Sequence, residues 1–286
     1  MSPVTTIFYF LITTAALVLN FIELYLLAQI KQRKAYEKFL MSLSVSDVCA
    51  SVTEIVIISL YFTWKGNEHV MGLNISTYFF FVVISFLHLF WICLDRLWAV
   101  VQPIQHNIFV TGRKVITLIA VTWITVCIAG IICFVTFEMD DPKKTPRQKS
   151  LQYRKKINLA TGVLIIVADI IYISAYAFIV FTVRRKTITS TKSSSQRRVV
   201  ILSIAMALAF VVSTFPYALF RLGAIPKRAG GYWVNLMVML NGVSNPSIYL
   251  VQTYSCRCHR HFKSQDDDAI IMKNRGDSNL SDRDSK

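Results

Sequence analysis

Charged residues are scarce in this chain of 286 residues. They make up 16% of the sequence, whereas a soluble domain carries about 25%. Hydrophobic residues make up 54%, and the mean hydropathy is +0.50. This shortage of charge argues against a water-soluble globular protein and indicates a chain that lies largely within a membrane.

The sequence also lacks the motifs of an enzyme. It contains no glycine-rich phosphate loop, no recognisable catalytic dyad and no strong metal-ligand pattern. We therefore expect neither catalytic residues nor covalent chemistry.

Cysteine is missing from the segments that we expect outside the cell, so an extracellular disulfide is not expected. Cys256 and Cys258 follow the last apolar run among basic residues, a setting typical of palmitoylated cysteines. A metal site that combines them with His259 and His261 is the weaker alternative.

Seven apolar runs divide the chain. A membrane helix needs about 20 mostly apolar residues, and each run provides them. The first run lacks the basic n-region and clear cleavage site of a signal peptide, so we interpret it as a span. We predict an all-α membrane protein, a seven-transmembrane helix bundle with a short amphipathic helix after the seventh span. The expected spans are residues 4–28, 40–64, 73–94, 115–137, 157–183, 199–220 and 232–252.

The net charge of +15 is unevenly placed. With the N-terminus outside, most of the basic residues fall in cytoplasmic segments, in agreement with the positive-inside rule. The second external loop, residues 138–156, is basic and opposes this trend. In a soluble protein such a charge would suggest a nucleic-acid partner, but this placement favours a multi-pass protein of the plasma membrane with no nucleic acid bound.

Polar side chains within the apolar runs are costly and therefore informative. Asp47 lies inside the second run and Ser85 midway through the third, while Asn241 and Asn245 share a face of the seventh. Their oxygens suit a small hard cation such as sodium. The alternative is a polar network that only joins helices, and the spacing leaves both interpretations open.

An acid and a base, Asp95 and Arg96, are adjacent at the expected inner end of the third span. Such a pair is consistent with side chains that extend to the membrane surface at a helix boundary. The residues that follow, up to His106, favour a functional motif instead.

Several segments together resemble the rhodopsin-like (class A) G-protein-coupled receptors. The run from Asp95 to His106 is similar to that family's Asp-Arg-Tyr motif and second inner loop, and the segment from Asn245 to Tyr249 matches its Asn-Pro-x-x-Tyr motif. The resemblance covers roughly residues 15–262, in order. Further matches are Asn20 in the first helix, Leu43–Asp47 in the second, Trp123 in the fourth, Tyr176 in the fifth, Phe210 and Pro216 in the sixth, and the outer-loop segment Trp64–Gly66.

The resemblance implies roles for the inner residues. Arg96 would meet the α-subunit of a heterotrimeric G protein, and Asp95 would restrain it at rest. Tyr176 and Tyr249 would stabilise the active state, and a ligand would shift the population between two states. The seventh-helix motif would contribute Asn245 and Pro246, and the family's sodium site would consist of Asp47, Ser85, Asn241 and Asn245, with sodium as an allosteric ligand and no other cofactor.

Five positions depart from the family pattern. Met71 stands where the family has a cysteine, Thr214 where the sixth helix has its switch tryptophan, and Ala168 where the fifth helix usually has proline. Gln196 replaces an acidic partner that latches the arginine, and Leu97 replaces the motif tyrosine. These changes put the family's usual activation trigger in doubt but leave the inner surface that couples to the G protein intact. Because loss of the latch lowers the free-energy difference between the resting and active states, we expect constitutive activity.

The ligand class is less clearly indicated. Tyr78 occupies the position of the aspartate in amine receptors, so a protonated amine loses its usual counter-ion. Arg221 and the basic loop above it would attract an anionic ligand, such as an acidic peptide or a lipid phosphate. The alternatives are that the loop charges only serve solvation, or that Glu54 or Asp169 neutralises Arg221. We expect the pocket to be lined by Tyr78, Phe79, Val82, Tyr217, Arg221 and Asn235.

We predict a receptor that transmits an extracellular signal to a heterotrimeric G protein. The alternative is a seven-helix interaction protein that dimerises with or traffics another receptor without coupling. A transporter is disfavoured because the two halves show no matching broken helices. Residues 1–262 would form the receptor domain, and residues 263–286 a disordered cytoplasmic tail whose serines offer a site for arrestin.

Overall fold

The computed structural model describes residues 3–63, 68–138, 146–187, 194–225 and 236–254. All regular structure within these ranges is helical. The helices are α1 (Pro3–Ala28), α2 (Ala35–Thr63), α3 (Glu68–Val101), α4 (Pro103–Phe109), α5 (Gly112–Glu138), α6 (Pro146–Thr187) and α7 (Ser194–Arg221), followed by α8 (residues 236–254).

Six of the described helices are long and apolar enough to cross a membrane. These spans confirm the first six that the sequence predicts. The seventh predicted span and the amphipathic helix after it stay predictions, although residues 236–254 are helical. The six spans are Thr6–Ala28, Ala35–Leu60, Phe80–Val101, Gly112–Thr136, Leu159–Val183 and Val200–Arg221.

Two helices extend well beyond the predicted runs. α3 continues to Val101, seven residues past the predicted end at residue 94, and so includes Asp95 and Arg96. α6 begins at Pro146, so the prediction of a loop throughout residues 138–156 was wrong. Proline is favoured in the first turn of a helix, and the Lys, Arg, Gln and Leu residues that follow it are good helix formers. A polar helical extension therefore precedes the apolar part of α6.

The helix α3 lies at the centre of the packing. It packs against α2, α5 and α6, and it also contacts α4 and α7. Its interior neighbours include many polar side chains, whereas the outward-facing residues of α5 are apolar: Ile116, Ile124 and Ile131 are 59%, 60% and 62% exposed. Such a surface is a liability in water but suits contact with lipid.

The chain divides into two compact units, Met1–Pro246 and Ser247–Lys286. Within the first unit, Gly162 marks a close approach between α6 and α7. A Cβ atom at this position would lie 2.9 Å from Leu222 Cγ and 3.3 Å from the carbonyl oxygen of Ala218. Small residues at such crossings are typical of membrane helix pairs, because they let the backbones come together.

Candidate functional site

A charge cluster lies near the C-terminal end of α3. Arg96 Nε donates to Asp95 Oδ2 at 3.0 Å, and Arg96 Nη2 contacts the same oxygen. His106 Nε2 lies 2.8 Å from Asp95 Oδ1. The side chains of Arg96 and Asp95 are 11% and 4% exposed. Both carboxylate oxygens are therefore engaged, and the guanidinium is held within the protein rather than facing lipid.

The guanidinium of Arg96 also meets the start of α2. Its central carbon lies 4.6 Å from the centre of the Tyr36 ring, a distance at which a cation is attracted to the ring face. Tyr36 Oη donates to Glu37 Oε1 at 2.9 Å, and Glu37 Oε2 accepts from the backbone N–H of Lys34 at 2.7 Å. These bonds fix the tyrosine beside Arg96.

The short helix α4 positions the histidine of the cluster. Pro103 occupies its first turn, where the missing N–H of proline costs nothing. The indole of Trp98 packs edge-on against His106, with ring centres 6.1 Å apart, and stacks on Phe109 at 6.4 Å. The chain thus folds back after α3, and His106 reaches the carboxylate eleven residues before it.

The other residues of the predicted coupling set come from later helices. Tyr176 of α6 is buried, and its neighbours are Cys93 of α3 and Ser203 of α7. Arg96 is also close enough to Tyr176 to interact with it electrostatically. Asn245 and Pro246 are buried in α8. Tyr249 belongs to the second compact unit.

The predicted sodium residues converge between the helices. Ser85 Oγ donates to Asp47 Oδ1 at 3.1 Å and so joins α3 to α2. Asp47 and Asn241 are 6% and 7% exposed, yet Asp47 Oδ2 and Asn241 Oδ1 have no hydrogen-bond partner among the described residues. Asn245 lies next to Asp47. Its side-chain amide nitrogen and oxygen are both buried and likewise have no hydrogen-bond partner among the described residues.

This donor set fits a small hard cation. Such ions prefer carboxylate, hydroxyl and amide oxygens, and Asp47, Ser85, Asn241 and Asn245 provide all three kinds. The buried oxygens that lack a partner in the described structure are the atoms that an ion would engage, since leaving them unsatisfied is costly. The occupant stays a prediction.

A second buried acid lies beside this group. Ser44 Oγ donates to Glu23 Oε2 at 2.9 Å, and Glu23 is 1% exposed. One turn earlier, Asn20 Nδ2 donates to the backbone oxygen of Gly242 at 2.8 Å and links α1 to α8. The sequence analysis did not single out Glu23, although a lone acid within an apolar run is a signal that would have found it.

A cavity of about 120 Å³ opens between α1, α2, α3, α7 and α8. Asp47, Ser85 and Asn241 contribute to its walls. Of the predicted ligand residues whose side chains are described, Val82 lines it. The sequence analysis missed Phe81 as a lining residue, and it considered Glu54, another lining residue, only as a neutraliser of Arg221.

The other predicted ligand residues are placed as follows. Tyr217 is fully buried and packs with Ile165 and Ala218. The guanidinium carbon of Arg221 lies 4.5 Å from the centre of the Tyr217 ring. The side chains of Tyr78, Phe79 and Asn235 lie outside the described residues, as do Cys256 and Cys258.

A buried acid occupies the region of the departures from the family pattern. Asp169 of α6 is 2% exposed, and the hydroxyl of Thr214 of α7 lies 3.2 Å from its Oδ1. The same hydroxyl donates to the backbone oxygen of Phe210 at 2.7 Å. Asp169 Oδ2 has no partner within the described ranges. A polar contact between two helices thus stands where the family has a tryptophan.

A hydrogen-bond chain that the sequence analysis did not predict links α2, α3 and α5. Trp123 Nε1 donates to Ser42 Oγ at 2.9 Å, and Ser42 Oγ lies 2.7 Å from His88 Nε2. His88 Nδ1 lies 2.7 Å from the backbone oxygen of Ile84. Because a carbonyl can only accept, Nδ1 carries a proton; in the neutral ring, Nε2 then accepts from Ser42. Every member of the chain is satisfied.

Comparisons with known proteins agree with this arrangement. The model of the family described as "7 transmembrane receptor (rhodopsin family)" matches residues 19–249, which is well over half of the chain. That range includes the cluster at the end of α3, the buried acid Asp47 and the residues of α8 up to Tyr249.

Individual relatives match shorter segments. A stretch of 104 residues, 35% of this chain, is 35% identical to the 5-hydroxytryptamine receptor 2B of Dichotomyctere fluviatilis and covers 22% of that protein. A stretch of 86 residues, 29% of this chain, is 35% identical to the 5-hydroxytryptamine receptor 1A-alpha of Takifugu rubripes and covers 20% of it. The chain thus spans about a fifth of the length of the curated relatives it matches. On the match over residues 19–249, this chain belongs to the rhodopsin family of seven-transmembrane receptors.

Proposed function

We propose that this protein transmits an extracellular signal across the plasma membrane to a heterotrimeric G protein. The observation that carries the proposal is the cluster of Asp95, Arg96 and His106 near the end of α3. Its guanidinium is largely covered and is held by an acid that a protein partner can replace. With the N-terminus outside, this end of α3 faces the cytoplasm.

The cluster supports a two-state mechanism. In the described state the guanidinium of Arg96 is bound by the carboxylate of Asp95 and by the face of the Tyr36 ring. In the coupling state the helices separate at this end, and the G-protein α-subunit takes the place of Asp95 as partner. A ligand favours coupling only to the extent that it binds the open state more tightly than the closed one.

Constitutive activity forms part of the proposal. Gln196 stands where many members of the family carry the acid that latches the arginine, and the contact between Thr214 and Asp169 is a single long hydrogen bond. A weaker restraint leaves a larger fraction of molecules in the open state without ligand.

We further propose that sodium binds between α2, α3 and α8. Asp47, Ser85, Asn241 and Asn245 would hold it, as the unsatisfied oxygens of the aspartate and the two asparagines suggest. The ion would neutralise the buried carboxylate and bring the three helices together at this level.

The predicted anionic ligand depends on Arg221 and the basic loop above it. Arg221 lies on the ring of Tyr217. An anionic group would meet Arg221 at the mouth of the bundle. Arrestin at the serines of residues 263–286 is proposed on sequence grounds alone.

The test is signalling by cells that express the chain without added ligand. A panel of sensors for each class of G protein should report activation above mock cells, and Arg96→Ala should reduce it to the mock level at equal surface expression. Arg113→Ala provides the control, because Arg113 is an exposed basic residue at the start of α5. Equal activity of Arg96→Ala and the wild type would refute the proposal.

The same experiment addresses the alternative function. The replacement of the switch tryptophan by Thr214 favours an interaction protein that dimerises with or traffics another receptor without coupling. For such a protein no sensor responds, while surface delivery of a co-expressed receptor survives Arg96→Ala.

A further inference from the structure

The cavity contains two acids at different depths. Asp47 and Glu54 both line it, and they lie seven residues apart on α2, which places them on the same face. Two helical turns separate their α-carbons by roughly 10.5 Å along the axis. One small inorganic ion therefore cannot bind both carboxylates.

The charged side chains among the described residues that line the cavity are both acidic. None of the described residues that line it is Lys, Arg or His. At its deeper end, Asp47 Oδ2 and Asn241 Oδ1 are buried acceptors with no partner in the described part of the chain. Such walls in a low-dielectric interior attract a cation and repel an anion.

The surroundings of Glu54 differ from those of Asp47. Ser85 contacts Asp47, and α3 runs antiparallel to α2, so the residues about seven positions earlier in α3 lie at the level of Glu54. Thr77 and Phe81 of α3 and Val238 of α8 line this part of the cavity. Glu54 has no hydrogen bond or ion pair with any other described residue. An inorganic cation requires several oxygen ligands, whereas the three lining residues named at this level add one hydroxyl, that of Thr77.

A carboxylate among aromatic and apolar side chains is the surrounding that an organic ammonium group requires. The charge pairs with the acid, the aromatic ring attracts the cation, and the apolar walls cover the carbon skeleton. The antiparallel register also places Tyr78, which stands where amine receptors have an aspartate, at the level of Glu54. The acid is thus supplied by α2 instead of α3.

We propose that this cavity binds a small organic amine, with Glu54 as the counter-ion of its ammonium group and Phe81 as an aromatic neighbour. The amine acts as the ligand of the receptor, so this inference rests on the proposed function. It differs from the anionic ligand that Arg221 suggests, and it leaves the deeper position at Asp47 to an inorganic ion.

Thermal unfolding of the full chain in lipid nanodiscs tests the site. Three ligands share an indole ring and differ in charge: tryptamine is a cation, indole-3-acetate an anion and 3-methylindole neutral. Phenethylamine adds a second cation with another ring. The amines should raise the unfolding temperature of the wild type more than the other two compounds.

Variants at the buried acids make the test specific. Glu54→Gln should weaken amine binding about thirtyfold or more, the loss typical when one partner of a buried charge pair is removed. Glu54→Asp keeps the charge and should retain part of the affinity for the amine. This variant keeps the test usable if Glu54→Gln folds poorly. Glu23→Gln is the matched control, since Glu23 is a buried acid paired with Ser44 outside the cavity wall, and it should bind as the wild type does.

The result has clear alternatives. Greater stabilisation by indole-3-acetate, no stabilisation by either amine, or equal amine binding by Glu54→Gln and the wild type would each overturn the proposed site. The assay contains no G protein, so it is separate from the proposed function. Amine binding without sensor activation would count against receptor signalling alone.

Discussion

Replacing Thr214 with Val tests the contact between α6 and α7. Valine has nearly the shape of threonine, so the substitution removes the hydroxyl and leaves the packing in place. Asp169, which is 2% exposed, then loses its contact at 3.2 Å, and its second oxygen already has no described partner. The variant therefore leaves a buried carboxyl group without a hydrogen bond.

The magnitude follows from this environment. Hydrogen bonds between membrane helices contribute about 0.6 kcal/mol on average and up to about 1.7 kcal/mol, whereas an orphaned buried polar group costs about 1–3 kcal/mol. We expect Thr214→Val to lose about 1–2 kcal/mol, which lowers the unfolding temperature by a few degrees in a domain of this size.

A double-mutant cycle separates the contact from other effects of the substitution. Asp169→Leu replaces the acid with an apolar side chain, and the variant with both substitutions removes both partners. Losing both partners of a hydrogen bond is often nearly neutral, so the double variant should recover most of the stability lost by Thr214→Val. Asp169→Asn should be close to the wild type, because its amide can donate to Thr214 Oγ1 while Thr214 donates to Phe210.

The assay is thermal unfolding of each purified variant in the same detergent, with ligand absent. Equal destabilisation by Thr214→Val in the wild-type and Asp169→Leu backgrounds would show that the two side chains do not interact, and the reasoning would fail.

Three further predictions concern the buried polar groups and the helix packing. Asp47→Asn should abolish the stabilisation that sodium chloride gives relative to potassium chloride, measured by thermal unfolding. Persistence of the sodium effect would place the ion elsewhere. Ser42→Ala should destabilise the protein more than Trp123→Phe, because it leaves His88 Nε2 on α3 and Trp123 Nε1 on α5 without their partner. An equal or reversed order of the two unfolding temperatures would contradict the chain of hydrogen bonds. Gly162→Ala should lower the unfolding temperature, because its Cβ meets a side chain at 2.9 Å and a backbone oxygen at 3.3 Å. Gly242→Ala should be tolerated, because its Cβ meets Ala16 at 3.7 Å. Similar changes in unfolding temperature for the two variants would argue against the close approach at Gly162.

Hydrophobic length was the strongest signal in the sequence. Runs of about 20 apolar residues predict membrane helices because the bilayer sets the length, and the first six runs are confirmed as helices long and apolar enough to cross a membrane. The boundaries were harder to predict. Pro146 begins a helix within a polar segment, and no apolar periodicity marks a helix that leaves the membrane.

Polar residues in the spans were informative for a similar reason. Asp47 and Ser85 attract attention because burial of such groups is costly, and the structure brings them into contact. The partners of a buried group depend on packing between distant segments. Nothing in the sequence alone pairs His88 with Ser42 or Asp169 with Thr214.

The hydrogen-bond chain of Trp123, Ser42 and His88 has a consequence for synthesis of the protein. All of its members lie within the first 123 residues, on α2, α3 and α5. By the time α6 emerges from the ribosome, each of these polar groups therefore already has its final partner within the nascent chain. These three side chains can therefore be satisfied before the rest of the bundle is translated, whereas Asn20 finds its partner Gly242 only once α8 is made.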